Sequence, residues 1–109
     1  MSAASSLIFY GIRFDVAQSD IEALEQRIHP WIVKARSVGL NFYWENVGGL
    51  SPRYLFFIGR KIGIIGVENE TEMIISESEL VLKMAEVNAK LKAVGYSEDP
   101  KLYFQLIPD

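Results

Sequence analysis

The sequence predicts an α+β domain in which an antiparallel sheet carries its helices on one face, and three patterns predict it. Four runs have the length and the β-branched or aromatic content of strands. Two runs repeat apolar residues at spacings of three and four, as amphipathic helices do. The two kinds of run follow one another as strand, helix, strand, strand, helix, strand. A chain of 109 residues, half of them hydrophobic, is long enough for one domain over residues 1–109 with a core of its own. Residues 1–5 are expected to be disordered.

The first strand is Leu7–Phe14. A helix follows, announced by Ser19 and Glu22 at capping-box spacing. Its stripe is Ile21, Leu24, Ile28, Trp31, Ala35 and Val38, and Gly39 ends it. Pro30 has no amide to donate and crowds the carbonyl four residues back. The chain therefore bends near His29 or opens a second short helix with Pro30 as its first residue, and the second reading is preferred. Leu40–Val47 and Arg53–Gly59 are strands joined by Gly48-Gly49-Leu50-Ser51-Pro52, a hairpin loop. Arg60-Lys61 then turns the chain into a short extended piece, Ile62–Val67. Thr71–Ile75 is a further short strand, so an extra strand or insert occupies residues 61–75. Ser76 and Glu79 repeat the capping-box pattern, Leu80, Met84, Val87, Leu91 and Val94 line one helical face, and Gly95 ends that helix. Lys101–Ile107 is the last strand. Two helix-bearing crossovers around a central hairpin make the split β-α-β arrangement of a ferredoxin-like sandwich, with two helices on one face.

Two strands are apolar on both faces. Ile8, Tyr10, Ile12 and Phe14 share one face of the first, yet Leu7 and Phe9 sit on the other. Leu102, Phe104 and Leu106 share one face of the last, against Tyr103 and Ile107. A strand with one wet face alternates apolar and polar residues, so continuous apolarity requires cover on both sides. By parity the open face carries residues drawn from Phe9, Arg13, Tyr43, Leu55 or Tyr54, Phe57 or Phe56, Tyr103 and Ile107. A patch of that size on a monomer invites aggregation, so a homodimer through this aromatic face is expected. The layout resembles that of dimeric α+β barrels, in which two such sheets pack face to face. The resemblance is one of topology alone.

Phe9, Arg13, Tyr43, Glu45, Arg53, Tyr54, Phe57 and Tyr103 are the candidate pocket or interface. An arginine fork can hold a carboxylate ligand, but tyrosine and arginine are also the types enriched where proteins meet, and interface is the preferred reading. His29 is the one histidine and the one candidate acid or base. Its plainer role is to cap or pack beside Pro30. Gly59-Arg60-Lys61-Ile62-Gly63-Ile64-Ile65-Gly66 lacks the serine or threonine and the helix of a phosphate loop, and its glycines are read as permitting turns and bulges. Glu68, Glu70 and Glu72 alternate as calcium ligands do but lack the turn glycine. With no cysteine and one histidine, no metal and no cofactor are expected.

The net charge of −3 and the scattered basic residues argue against a nucleic-acid partner. No signal-peptide pattern and no spanning run is present, so a cytoplasmic location without membrane contact is expected. No motif fixes a reaction. The function expected is a small non-enzymatic interaction or regulatory domain, a homodimer with a possible protein partner, one form being an immunity-type inhibitor. The alternative is a small cofactor-independent enzyme or ligand-binding protein with an apolar pocket between helices and sheet.

Overall fold

Eleven extended residues, Ser5–Asp15 (β1), form the strand around which the sheet is built. In a computed structural model, which describes residues 4–107, β1 pairs antiparallel with Tyr54–Ile65 (β3) on one side and Lys101–Ile107 (β4) on the other. Asn41–Asn46 (β2) pairs antiparallel with β3, which gives the order β2-β3-β1-β4. Three α-helices, Ile21–Glu25 (α1), Pro30–Ser37 (α2) and Glu77–Ala93 (α3), complete an α+β architecture. No described helix is long and apolar enough to cross a membrane. The expected disorder of residues 1–3 lies outside the described residues, whereas Ser5 already belongs to β1.

β3 is one twelve-residue strand, where the sequence suggested a strand ending at Gly59 and a separate piece beyond it. A bulge holds it together. Ile8 pairs with Gly63 and Phe9 with Lys61, so Ile62 has no partner of its own. The extra residue resets the alternation, and Ile62 reaches the helix-side core while Ile64 packs on the opposite face. Thr71–Ile75 is not a strand. An isolated bridge between Ile65 and Glu70 is the β pairing recorded in this insert among the described residues.

Gly11 and Gly59 lie directly opposite each other, with φ of 155° and 151°. A Cβ on Gly11 would stand 2.1 Å from the Ile58 carbonyl oxygen, and one on Gly59 would stand 2.2 Å from that of Tyr10. Only glycine lets the two backbones meet this closely.

The first helical segment departs from its expected form. It opens as a 3-10 turn over Gln18–Asp20, Ser19 lies inside that turn, and no side chain caps it or α1. The chain then passes through Arg27 at φ 60°. Pro30 begins α2, as preferred from the sequence, and the Nδ1 of His29 caps that helix by accepting from the Trp31 amide (3.1 Å). This break rotates the stripe, so that Leu24, Ile32 and Ala35 are buried and Ile28 is 63% exposed. The second cap holds, with Ser76 Oγ accepting from the Glu79 amide at 3.2 Å.

Two apolar clusters occupy the two faces of the sheet. On the helix side Tyr10, Ile12, Phe56 and Ile58 pack against Leu24, Ile32, Val87 and Leu91, with Trp31 stacked on Phe14 at 4.8 Å. On the other side Leu7, Phe9, Leu55 and Phe57 are each 0% exposed within the single chain, joined by Ile107 and surrounded by Tyr43, Val47, Ile64 and Tyr103. The face expected to stand open is therefore closed at its centre. The loop after β3 lies against one end of it, where Asn69 Nδ2 donates to Ser5 Oγ (3.1 Å).

The exposed apolar surface lies elsewhere. α3 packs on β1 and β3, and α2 on β2 and β3. The helix side of β4 stays bare, with Leu102, Phe104 and Leu106 exposed by 38%, 70% and 61%.

The Gly11–Gly59 contact gives a direct check. Gly59→Ala is expected to cost about 3 kcal/mol or more, because the new methyl meets backbone that cannot step aside. Gly49, at φ 61° with no atom within 4 Å of a Cβ, should lose only about 1 kcal/mol on the same change. Equal shifts in the denaturation midpoints of the two variants would contradict the close approach.

Candidate functional site

Strand parity sorts the candidate residues. Phe9, Arg13, Tyr43, Glu45, Phe57 and Tyr103 fall on the face away from the helices, as the cross-strand pairs Phe9–Tyr103, Arg13–Phe57 and Tyr43–Phe57 require. Tyr54 does not join them. It pairs with Asn46 and its ring lies 6.1 Å from Trp44, which belongs to the helix-side cluster. Arg53 precedes β3 and meets Asp15 at 3.3 Å, a largely exposed pair worth about 0–1 kcal/mol.

The six that do converge form a closed arrangement. The Phe9 and Phe57 rings are 5.4 Å apart and Tyr103 stands edge-on to Phe57 at 5.7 Å. Such contacts add about 0.5–1.5 kcal/mol each beyond the area they bury. Arg13 lies over the Tyr103 ring, 4.9 Å from its centroid, and donates to Gln105 Oε1 at 3.0 Å. The Tyr43 hydroxyl donates to the Glu45 carboxylate, one pleat along the same strand face. Burial, then the hydrogen bond to Glu45 and its negative charge, push the Tyr43 phenol well above its ordinary range. Arg13, Tyr43 and Glu45 each have a polar partner, the Tyr103 ring is held between Arg13 and Phe57, and none of the six lines either of the two concavities described below. The arrangement braces a sheet face.

His29 is equally occupied. Its Nδ1 accepts from the backbone and its Nε2 faces Asp20 Oδ1 at 3.2 Å, so the proton of the neutral ring sits on Nε2. Buried, with its ring 4.3 Å from that of Trp31, it fixes the start of α2.

Two concavities stand apart from these contacts among the described residues. The larger, about 340 Å³, lies between the end of α3 and the turn before β4, lined by Asn88, Lys92, Tyr96 and Glu98 among others. The Tyr96 hydroxyl is buried there without a hydrogen-bond partner, and burial with the nearby charge of Glu98 pushes its phenol up to about 12. The smaller, about 230 Å³, is lined by apolar side chains and lies where α3 meets β1, β3 and β4. Ile8, Ile62, Leu80, Leu102 and Phe104 line it, and Met73 closes one side, its Cε packed into the space a side chain on Gly63 would fill. Among the described residues no group of three or more histidine, cysteine, aspartate or glutamate side chains is placed to hold a metal.

The surface that sequence reasoning missed is Leu102–Phe104–Leu106, which it assigned to the helix-covered face. A signal was present. The stripe Leu80, Met84, Val87, Leu91 is one row wide, and a single row of side chains reaches about two strands when strands lie roughly 4.8 Å apart. Comparison with protein-family models, with curated proteins and with solved structures gives no match.

The structural role of His29 is testable. His29→Ala removes both ring and cap and is expected to lose about 2–3 kcal/mol. His29→Asn restores a side-chain acceptor at the cap and should recover about 1 kcal/mol of that. Equal chemical stability of the two variants would contradict the cap.

Proposed function

We propose that this chain is a small non-enzymatic interaction or regulatory domain that acts as a homodimer. The observation that carries this reading is the row of exposed Leu102, Phe104 and Leu106 on an outermost strand. A monomer gains nothing from leaving three large apolar side chains in line on a sheet edge, the arrangement most prone to unwanted pairing. The candidate side chains described above, His29 and Arg13 included, are engaged in structural contacts, which supports a role without chemistry.

A ferredoxin-like topology belongs to the same proposal. The order β2-β3-β1-β4, with helices in the connections β1 to β2 and β3 to β4, supports it. A cytoplasmic setting is supported by a sequence free of cysteine. An inhibitor of the immunity type, which would cover a basic enzyme with tyrosines and carboxylates, is one form the function takes; the net charge of −3 and the Tyr43–Glu45 pair favour it.

The second reading, an apolar-ligand binder, is favoured by the groove beneath α3. Against it, the groove's 230 Å³ falls below the roughly 300 Å³ of ordinary ligand pockets, and no polar side chain lines it to orient a ligand.

Light scattering coupled to size exclusion separates the readings. A chain of 12.3 kDa should approach twice that mass as its concentration rises from about 1 to about 100 µM. The mass of one chain throughout, together with saturable one-to-one binding of an apolar fluorescent probe, would put the ligand reading in its place.

A further inference from the structure

Resting on the homodimer reading, we infer that the partner surface is the free edge of β4, and that two copies pair β4 with β4 in antiparallel register with Phe104 on the twofold axis.

Self-complementarity of the strand is the first ground. On its helix side β4 reads Leu102, Phe104, Leu106, the same in both directions. Antiparallel pairing about Phe104 therefore sets Phe104 against its own copy and Leu102 against Leu106 of the second copy, while Tyr103 meets Gln105 on the other side. A twofold interface demands a patch that fits itself, and a palindromic row on a strand edge meets that demand without adjustment. Arg13 already bridges Tyr103 and Gln105 within each chain, so the residues that would meet across the axis on that side are held in place beforehand.

The second ground is the edge itself. β4 pairs with β1 on one side and with no strand on the other among the described residues. It has seven residues and none of the usual guards within its length: no proline, no bulge, and one charge, Lys101, at its first position.

Area is the third ground. Helical spacing puts Val81 and Ala85 on the flank of α3 that carries Asn88, whose Oδ1 accepts from the Tyr10 hydroxyl on β1, the strand beside β4. Val81, 54% exposed, thus lies on the flank of α3 turned toward β4. These side chains expose on the order of 400 Å² per copy, of which edge pairing covers the flanks that meet across the twofold axis, so with the paired strand edges the contact falls at or below the lower end of specific interfaces, about 1,200 Å².

Because the chain has no cysteine, single substitutions report the register directly. Opposite residues of an antiparallel pair have Cα atoms about 4.5–5.5 Å apart, within disulfide reach, whereas positions four residues out of register stand about 13 Å apart. Phe104→Cys should form a covalent dimer on mild oxidation. Leu102→Cys alone should not, but mixed with Leu106→Cys it should give the heterodimer. In light scattering Phe104→Lys should be monomeric, and at a dilution where the native chain is also monomeric its melting temperature should match the native one, since Phe104 is 70% exposed in the single chain. A native dimer that survives Phe104→Lys, or in which Phe104→Cys fails to cross-link, overturns the β4 pairing and leaves the homodimer reading intact. A monomer at every concentration overturns both.

Discussion

Burial of β1 on both of its faces is the constraint from which the rest of the structure follows. β1 lies between β3 and β4, and seven of its first eight residues are buried. A side chain such as Phe9 or Leu7 is worth about 1.5–3 kcal/mol when taken out of water, so neither face can be left wet. The helix layer covers Tyr10 and Ile12. Phe9 and Leu7 are covered from within the sheet, by Phe57 and Leu55 on the neighbouring strand and by the flanking Tyr43 and Tyr103. The Gly11–Gly59 contact brings β1 and β3 together midway along their pairing, and the bulge at Ile62 lets β3 serve both clusters.

The helix layer lacks the width to do the same for β4. Pro30 divides the first crossover into five- and eight-residue helices, and of these α2 reaches β2 and β3. The seventeen residues of α3 offer one apolar row, spent on β1 and β3. Three helices thus shield three strands. The apolar residues of β4 that face the helix layer have nothing above them but the edge of a narrow groove, and the proposal of a second copy rests on that bareness.

Much of this was legible in the chain. Pro30 was readable as a helix start because a residue without an amide hydrogen is tolerated there and nowhere deeper. Ser76 was readable as a cap because its helix begins with no competing turn. Ser19 misled because the same spacing sits inside a 3-10 turn, where its oxygen has no free amide to accept from. The continuation of β3 past Gly59 was hidden, since a glycine in a close backbone approach and a glycine in a turn look alike in sequence. Alternation placed Phe9, Tyr43 and Tyr103 on one face correctly. It gave no means of choosing between Tyr54 and Leu55, whose parity depends on where the strand starts. Nor did it reveal that rings such as Phe57 and Tyr103 would seal that face without a partner, because ring-to-ring packing is a property of three dimensions.

Amide hydrogen exchange at two protein concentrations addresses the central claim, that β1 is closed within one chain while β4 is not. The account predicts that the amides of β1 and β3 stay protected at both concentrations, and that the outward amides of β4 exchange quickly when dilute and slowly when concentrated. Loss of protection in β1 on dilution, with β4 unaffected, would mean that the aromatic face rather than the β4 edge is closed by a partner, and would contradict the account.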